Sequence, residues 1–359
     1  MHSPRLLVAA LLLAPPALGP LDPAVAADVS TRGPLAVDTI EFADLVDALR
    51  KGPAADARNM RGAAGRRVPI KVHLPAGDGR LPVVVVSHGA GGDWDTHFGQ
   101  AQHLASHGYA VLCLEHVGSN RAMVAGSFQL MKIVEAMTRD ADEVLGRPRD
   151  VRFAIDRADE WNRTHDILRG RLDLDRVGVM GHSFGAFTTL AVCGMRPALE
   201  WLSPRVAPGK GLGPDLRDER VRCGVALSPQ GVGEPFFIRE SFGSLAVPLL
   251  GITGTLDKQQ GGLPAENRRD AFALWPDGPH RLVWLTNARH VDFTDSTGIR
   301  RLELPSPTLA DVQPIVRAAS LLFFDSQLRG SAEAAMRFTS DGLRPFLRGG
   351  VTGVKVLAK

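Results

Sequence analysis

Gly181-His182-Ser183-Phe184-Gly185 reads G-x-S-x-G, and it stands between an apolar run, Val177-Gly178-Val179-Met180, and a helical stretch beginning at Phe184. A serine on such a tight strand-to-helix turn is presented as a nucleophile. Gly181 and Gly185 lack Cβ and so permit strained dihedrals and close approach of strand and helix. The helix N-terminus offers N–H groups and positive partial charge to a developing anion. The chemistry this predicts is attack of the Ser183 oxygen on a carbonyl carbon. The plainer alternative is a serine that caps an ordinary helix.

A serine nucleophile needs an imidazole base and a carboxylate to orient it. Catalytic groups of an open parallel sheet gather beyond the carboxyl ends of its strands, and this rule sorts the candidates. Residues 247–253 read as a strand followed by Gly254-Thr255-Leu256-Asp257, which places Asp257 at that edge. Residues 281–285 read as the next strand, and Ala288-Arg289-His290-Val291-Asp292 follows it, so His290 lies at the same edge. His280 precedes the strand and falls at the wrong end. Asp257 could instead cap a following helix. Asp292 and Asp295 are rival acids, disfavoured because they are so close to His290 in sequence. His182, peptide-bonded to Ser183, is poorly placed as its base.

A tetrahedral intermediate also needs two N–H donors for its oxyanion. Ser87-His88-Gly89-Ala90-Gly91-Gly92 follows a buried strand, and its glycines free backbone N–H groups. The donors are assigned to the N–H groups of Ala90 and Phe184. A Gly-rich turn without function is the plain alternative. A phosphate loop is disfavoured because no Gly-Lys-Ser/Thr follows. Gly91, Trp94, Gln230 and Phe236 are the expected substrate contacts.

The elements that must hold these groups alternate. Strands are expected at 68–74, 83–86, 109–115, 176–180, 221–227, 247–253 and 281–285, and helices at 97–107, 150–161, 184–193, 265–274 and 313–328. This β-α alternation predicts an α/β fold, with a mostly parallel central sheet and helices on both faces. Residues 118–146 carry Met123, Phe128, Leu130, Met131, Ile133, Val134 and Met137, and form either a cap over a pocket or plain core packing. One domain from residue 27 onward is the simplest organisation, with 116–148 as the candidate cap or insertion and 331–359 as a tail without a clear pattern.

The 359 residues are 44% hydrophobic and 23% charged, the composition of a globular chain with a sizeable core. A formal charge of +3, dispersed without a basic run, gives no footprint for nucleic acid. Arg5, the apolar run 6–14 and Ala24-Val25-Ala26 have the pattern of a cleaved signal peptide over 1–26, predicting export to the periplasm or beyond. An apolar run of nine residues spans about 14 Å as a helix, too short for a hydrocarbon core of roughly 30 Å, so stable membrane insertion is not expected. Cys113, Cys193 and Cys223 are too few for a disulfide scaffold and read as buried thiols, with a Cys193–Cys223 bridge as the alternative. His103 and His107, four apart on a helix, could bind a metal but lack a third ligand, so a solvated helix face is preferred and no metal is expected.

Together these residues resemble the bacterial dienelactone-hydrolase-like group of the α/β-hydrolase superfamily, which includes relatives of platelet-activating-factor acetylhydrolase. The resemblance runs through residues 83–92, 105–120 (especially Glu115-His116-Val117-Gly118-Ser119-Asn120), 147–154, 173–186, 247–257 and 290–294. It implies cleavage of a small-molecule carboxylic ester through an acyl-enzyme, with no cofactor. In the acetylhydrolase relatives the acid follows the strand matching 221–227, where this chain has Ser228-Pro229; that favours Asp257. Dienelactone hydrolases proper use cysteine where Ser183 stands, so neither substrate carries over. A peptidase or amidase with the same triad is one alternative, and a non-catalytic envelope-binding module is another.

Overall fold

Four successive valines, Val83 to Val86, alternate across the pleat of a strand, so both faces must be covered. Val83 and Val85 enter one apolar cluster and Val84 and Val86 a second on the opposite face. Their strand lies within a nine-stranded sheet in the computed structural model, which describes residues 28–50, 65–295, 308–348 and 353–359. The expected signal peptide, 1–26, lies outside the described residues.

The strands of this sheet are β1 (Val37–Phe42), β2 (Ile70–Pro75), β3 (Leu81–Ser87), β4 (Ala110–Leu114), β5 (Leu172–His182), β6 (Val221–Leu227), β7 (Leu249–Leu256), β8 (Arg281–Arg289) and β9 (Val354–Ala358). Their spatial order is β1-β2-β4-β3-β5-β6-β7-β8-β9. The strands from β4 through β8 pair in parallel, while β1–β2, β2–β4 and β8–β9 are antiparallel. The helices are α1 (Phe98–Ser106), α2 (Arg121–Val124), α3 (Leu130–Arg139), α4 (Ala141–Thr164), α5 (Phe184–Val192), α6 (Glu266–Asp270), α7 (Leu309–Leu328), α8 (Ala332–Arg337) and α9 (Ser340–Leu343). Side chains of α4 and α5 fill the first cluster, and those of α1 and α7 fill the second. The mostly parallel sheet with helices on both faces is the architecture that the alternation predicts.

Register places the site. Ser87 is level with Gly181, His182 with Leu227, Leu227 with Ile252, and Leu256 with Arg289. Parallel pairing therefore delivers the ends of β3, β5, β7 and β8 to one rim.

Several elements differ from the sequence expectation. The helix expected at 150–161 begins at Ala141, where the Asp140 carboxylate caps the N–H groups of Asp142 and Glu143. Gly146 and Pro148, both poor helix formers, hide that start. Residues 118–146 supply α2, α3 and the first turn of α4. Met123, Ile133 and Val134 pack on the first cluster, whereas Phe128 and Met131 are exposed. The tail is ordered where described: α8 and α9 pack near α7, and β9 closes the sheet edge against β8. β1 and β9 are short, and their pairing partners lie far away in sequence. All three cysteines are free and buried.

The interior holds an unusual set of imidazoles. Burial pushes His88, with the Arg147 guanidinium adding to the effect, and His182 well below the ordinary histidine range. Burial likewise lowers His97 to about 4 and His116 to about 3. An unfolded chain binds protons on these rings below pH about 6.5, and the folded chain does not until near pH 4 or lower. The unfolded state therefore holds more protons in that window, and stability falls with falling pH by up to about 1.4 kcal/mol per pH unit for each ring. Thermal melts between pH 7.5 and 4.5 are expected to show a melting temperature that drops steadily below pH 6.5. A constant melting temperature across that range would contradict neutral buried rings.

Candidate active site

Ser183 occupies the turn between β5 and α5 with φ 57° and ψ −116°, a conformation rare for a residue with a side chain. The flanking glycines are required by space. A Cβ on Gly181 would lie 2.3 Å from the Gly185 carbonyl oxygen, and one on Gly185 would lie 1.9 Å from that of Ser87. Both contacts are with backbone, which cannot rotate away. Gly185→Ala is expected to cost roughly 3 kcal/mol, at the top of the overpacking range, and to abolish any Ser183 reactivity; chemical denaturation and active-site labelling check it.

The predicted triad residues converge. His290 Nε2 is 3.0 Å from Ser183 Oγ, and His290 Nδ1 is 2.8 Å from Asp257 Oδ1. Ser183 is half-buried and the His290 side chain is 37% exposed, so a substrate can reach both, whereas Asp257 is sealed. Asp257 also accepts from Thr253 Oγ1 at 2.8 Å. Burial opposes its ionisation, but the Arg268 guanidinium, 3.3 Å away, and His290 hold the carboxyl well below the usual carboxylate range. An ionised acid that accepts from Nδ1–H leaves Nε2 free to take a proton from Ser183.

The rival groups are engaged elsewhere. Asp292 Oδ2 accepts from the Arg289 N–H at 2.8 Å and from Thr308 Oγ1 at 2.7 Å, and Asp295 Oδ2 accepts from the Gln100 N–H at 2.6 Å. His182 donates from Nε2 to the His290 carbonyl at 2.9 Å, steadying the loop that carries His290. His103 and His107 reach the carbonyls of Val29 and Thr31, and His103 is buried. That corrects the solvated face expected for this pair: the rings hold the N-terminal segment onto α1. Among the described residues no cluster of metal-ligating side chains occurs.

The oxyanion candidates lie against Ser183. A Cβ on Gly89 would be 3.4 Å from Ser183 Cβ, so the 89–90 peptide adjoins the reacting hydroxyl. The Ala90 and Phe184 N–H groups have no acceptor among the described residues. Gly91, at φ 75°, donates to the Ser119 carbonyl, and the methyl groups of Val124 stand 3.2 Å from where its Cβ would be. The α2–α3 segment thus packs on the Gly-rich loop 87–92. It is tied to the same rim by Arg139–Glu234 at 2.6 Å and by Thr138 with Gln260 at 3.0–3.2 Å.

The remaining expected substrate contacts divide. Gln230 Nε2 donates to the Ser183 carbonyl at 2.6 Å and so braces the turn. Phe236 is buried and stacks on Phe187 and Phe184, with centroids 4.4 and 5.3 Å apart; it belongs to the core rather than a pocket wall. Trp94 is half-buried and packs against the second cluster, with the Lys71 ammonium 4.8 Å from its ring centroid.

Arg268 is the contributor that sequence reading missed. Besides facing Asp257, it donates to the carbonyls of Asp257, Ser228 and Pro229 at 3.0–3.1 Å and so joins the ends of β6 and β7. Nothing in the local sequence distinguishes it from the neighbouring Arg269, which is only half-buried.

A family model described as "alpha/beta hydrolase fold" matches residues 82–240. That span contains the Gly-rich loop 87–92 and Ser183 and ends before Asp257 and His290. The chain is also similar to the platelet-activating factor acetylhydrolase of Cavia porcellus, at 27% identity over 190 residues. The aligned stretch covers 45% of this chain and 38% of that relative.

Proposed function

We propose, from the premise that this chain has the α/β-hydrolase fold, that it is a serine hydrolase cleaving carboxylic esters through Ser183, His290 and Asp257. The observation that carries this reading is the unbroken path from Ser183 Oγ through His290 to an ionised Asp257, with links of 3.0 and 2.8 Å. His290 Nε2 takes the hydroxyl proton as Ser183 Oγ bonds to the ester carbonyl carbon, and the carbonyl oxygen becomes an oxyanion facing the Ala90 and Phe184 N–H groups. The imidazolium then gives its proton to the departing alcohol, leaving an acyl-enzyme. Water, deprotonated by His290, attacks the acyl carbon and releases the acid and Ser183.

The acetylhydrolase relative supports an ester over an amide, and it does not fix the acyl or alcohol part. Export belongs to the same reading and rests on the pattern of residues 1–26. Among the described residues no helix is long and apolar enough to cross a membrane. Fluorophosphonate labelling, followed by matched p-nitrophenyl esters and p-nitroanilides of increasing acyl length, tests the proposal. Labelling at Ser183 with ester turnover far above anilide turnover is expected. Comparable anilide turnover would favour a peptidase, and an unlabelled protein would favour a binding module.

A further inference from the structure

The segments Glu115 to Asn120 and Arg147 to Asp150 supply no group to the Ser183 triad, yet they meet in the interior. His116 Nδ1 is 2.8 Å from Asp150 Oδ2, and His116 Nε2 is 2.8 Å from Ser87 Oγ. This repeats the hydroxyl–imidazole–carboxylate pattern of the active site, but all three residues are fully buried and no substrate can reach them. Arg66 pairs with Asp150 and Glu143, and Ser119 Oγ donates to Glu143 at 2.7 Å. The fully buried Arg147 donates to Ser119 Oγ at 2.8 Å, to Ser87 Oγ at 3.2 Å, to Thr188 Oγ1 at 3.1 Å and to the His88 carbonyl. So many buried charges and hydroxyls are costly unless mutually satisfied, and one branch of this network, through Arg147, reaches the His88 carbonyl.

His88 has a fixed tautomer. Its Nε2 accepts the backbone N–H of His116 at 3.0 Å, so Nε2 carries no proton. The proton of the neutral ring is therefore on Nδ1, which lies 2.6 Å from the Gly89 carbonyl oxygen and donates to it. The Gly92 N–H gives that oxygen a second bond at 3.1 Å. A peptide unit is planar and trans, so its N–H points opposite to its C=O. Holding the Gly89 carbonyl inward turns the Ala90 N–H the other way, and this peptide abuts Ser183.

We infer that His88 is a positioning residue for the reaction proposed above: its Nδ1–H locks the Gly89–Ala90 peptide so that the Ala90 N–H faces the oxyanion, while the His116 N–H holds the ring at Nε2 and Arg147 holds the His88 carbonyl. The inference rests on the serine-hydrolase reading. His88 never touches substrate. Its contribution appears only when negative charge develops on the substrate oxygen.

The test compares His88→Leu, His88→Asn and His88→Gln in the full chain, with kcat expressed per fluorophosphonate-titrated site. Asparagine can place a donor near the Nδ1 position, whereas glutamine places its amide near the Nε2 position. His88→Leu is expected to lower kcat about 10²-fold with KM little changed, the scale of one weakened oxyanion donor. A trifluoromethyl ketone, which Ser183 Oγ converts to a tetrahedral oxyanion while the proton passes to His290, should lose affinity by a similar factor. His88→Asn should recover most of both losses and His88→Gln little of either. If His88→Leu does not fold, the Asn–Gln contrast still decides. Equal kcat per site and equal ketone affinity in those two variants, or a His88→Leu enzyme near wild-type kcat, would overturn the inference while leaving the esterase reading intact. A wild-type protein with no Ser183-dependent turnover would remove both.

Discussion

Ser183→Ala is expected to lower kcat on a good p-nitrophenyl ester by about 10⁵–10⁶-fold and to end fluorophosphonate labelling. The magnitude follows from the geometry. The 3.0 Å Nε2–Oγ contact makes His290 useful only through this hydroxyl, so without it the imidazole, Asp257 and the N–H donors have no covalent step to serve. Residual rate would come from the oxyanion donors and substrate binding alone. Stability should change by less than about 1 kcal/mol, because the hydroxyl is only half-buried and alanine meets the same positive φ. Retention of more than a small percentage of wild-type rate, with titration showing folded protein, would dismiss Ser183 as nucleophile.

Asp257→Asn is expected to cost about 10⁴ in kcat, since a neutral amide neither enforces the Nδ1–H tautomer nor stabilises the imidazolium. Unlike the serine change, it should also destabilise the fold, by about 3 kcal/mol, because it leaves the buried Arg268 guanidinium without its counter-charge. Urea titration measures the second effect independently of the first. Asp292→Asn is the matched control. Its carboxylate serves the Arg289 N–H and Thr308, so kcat should fall less than about tenfold. A reversal, with Asp292→Asn inactive and Asp257→Asn active, would transfer the acid role.

The legible part of the fold was the part written locally. The valine run 83–86, the apolar stretch before Ser183 and the β-α alternation identify a buried parallel sheet because burial on two faces demands continuous apolar sequence. The start of α4 was hidden because Gly146 and Pro148 oppose its local propensity, while the Asp140 cap and packing against the sheet override it. Strands β1 and β9 were missed because five or six alternating residues become a strand only when an edge is offered to them. His103 looked solvent-exposed because its helical spacing says nothing about the N-terminal segment folded over it.

By itself the sequence determined the Ser183 turn, the glycine-rich loop, and the placement of Asp257 and His290 after two adjacent strands. Each of these depends on a run of a few residues and on the rule that parallel strands end on one side. Only the tertiary structure decided that Arg268, rather than Arg269, faces Asp257, that Phe236 belongs to the core, and that Ser87, His116 and Asp150 form a buried network that reaches His88. Such outcomes depend on which distant side chains share one desolvated space, and on every buried charge or polar atom there finding a partner. No local pattern encodes that pairing.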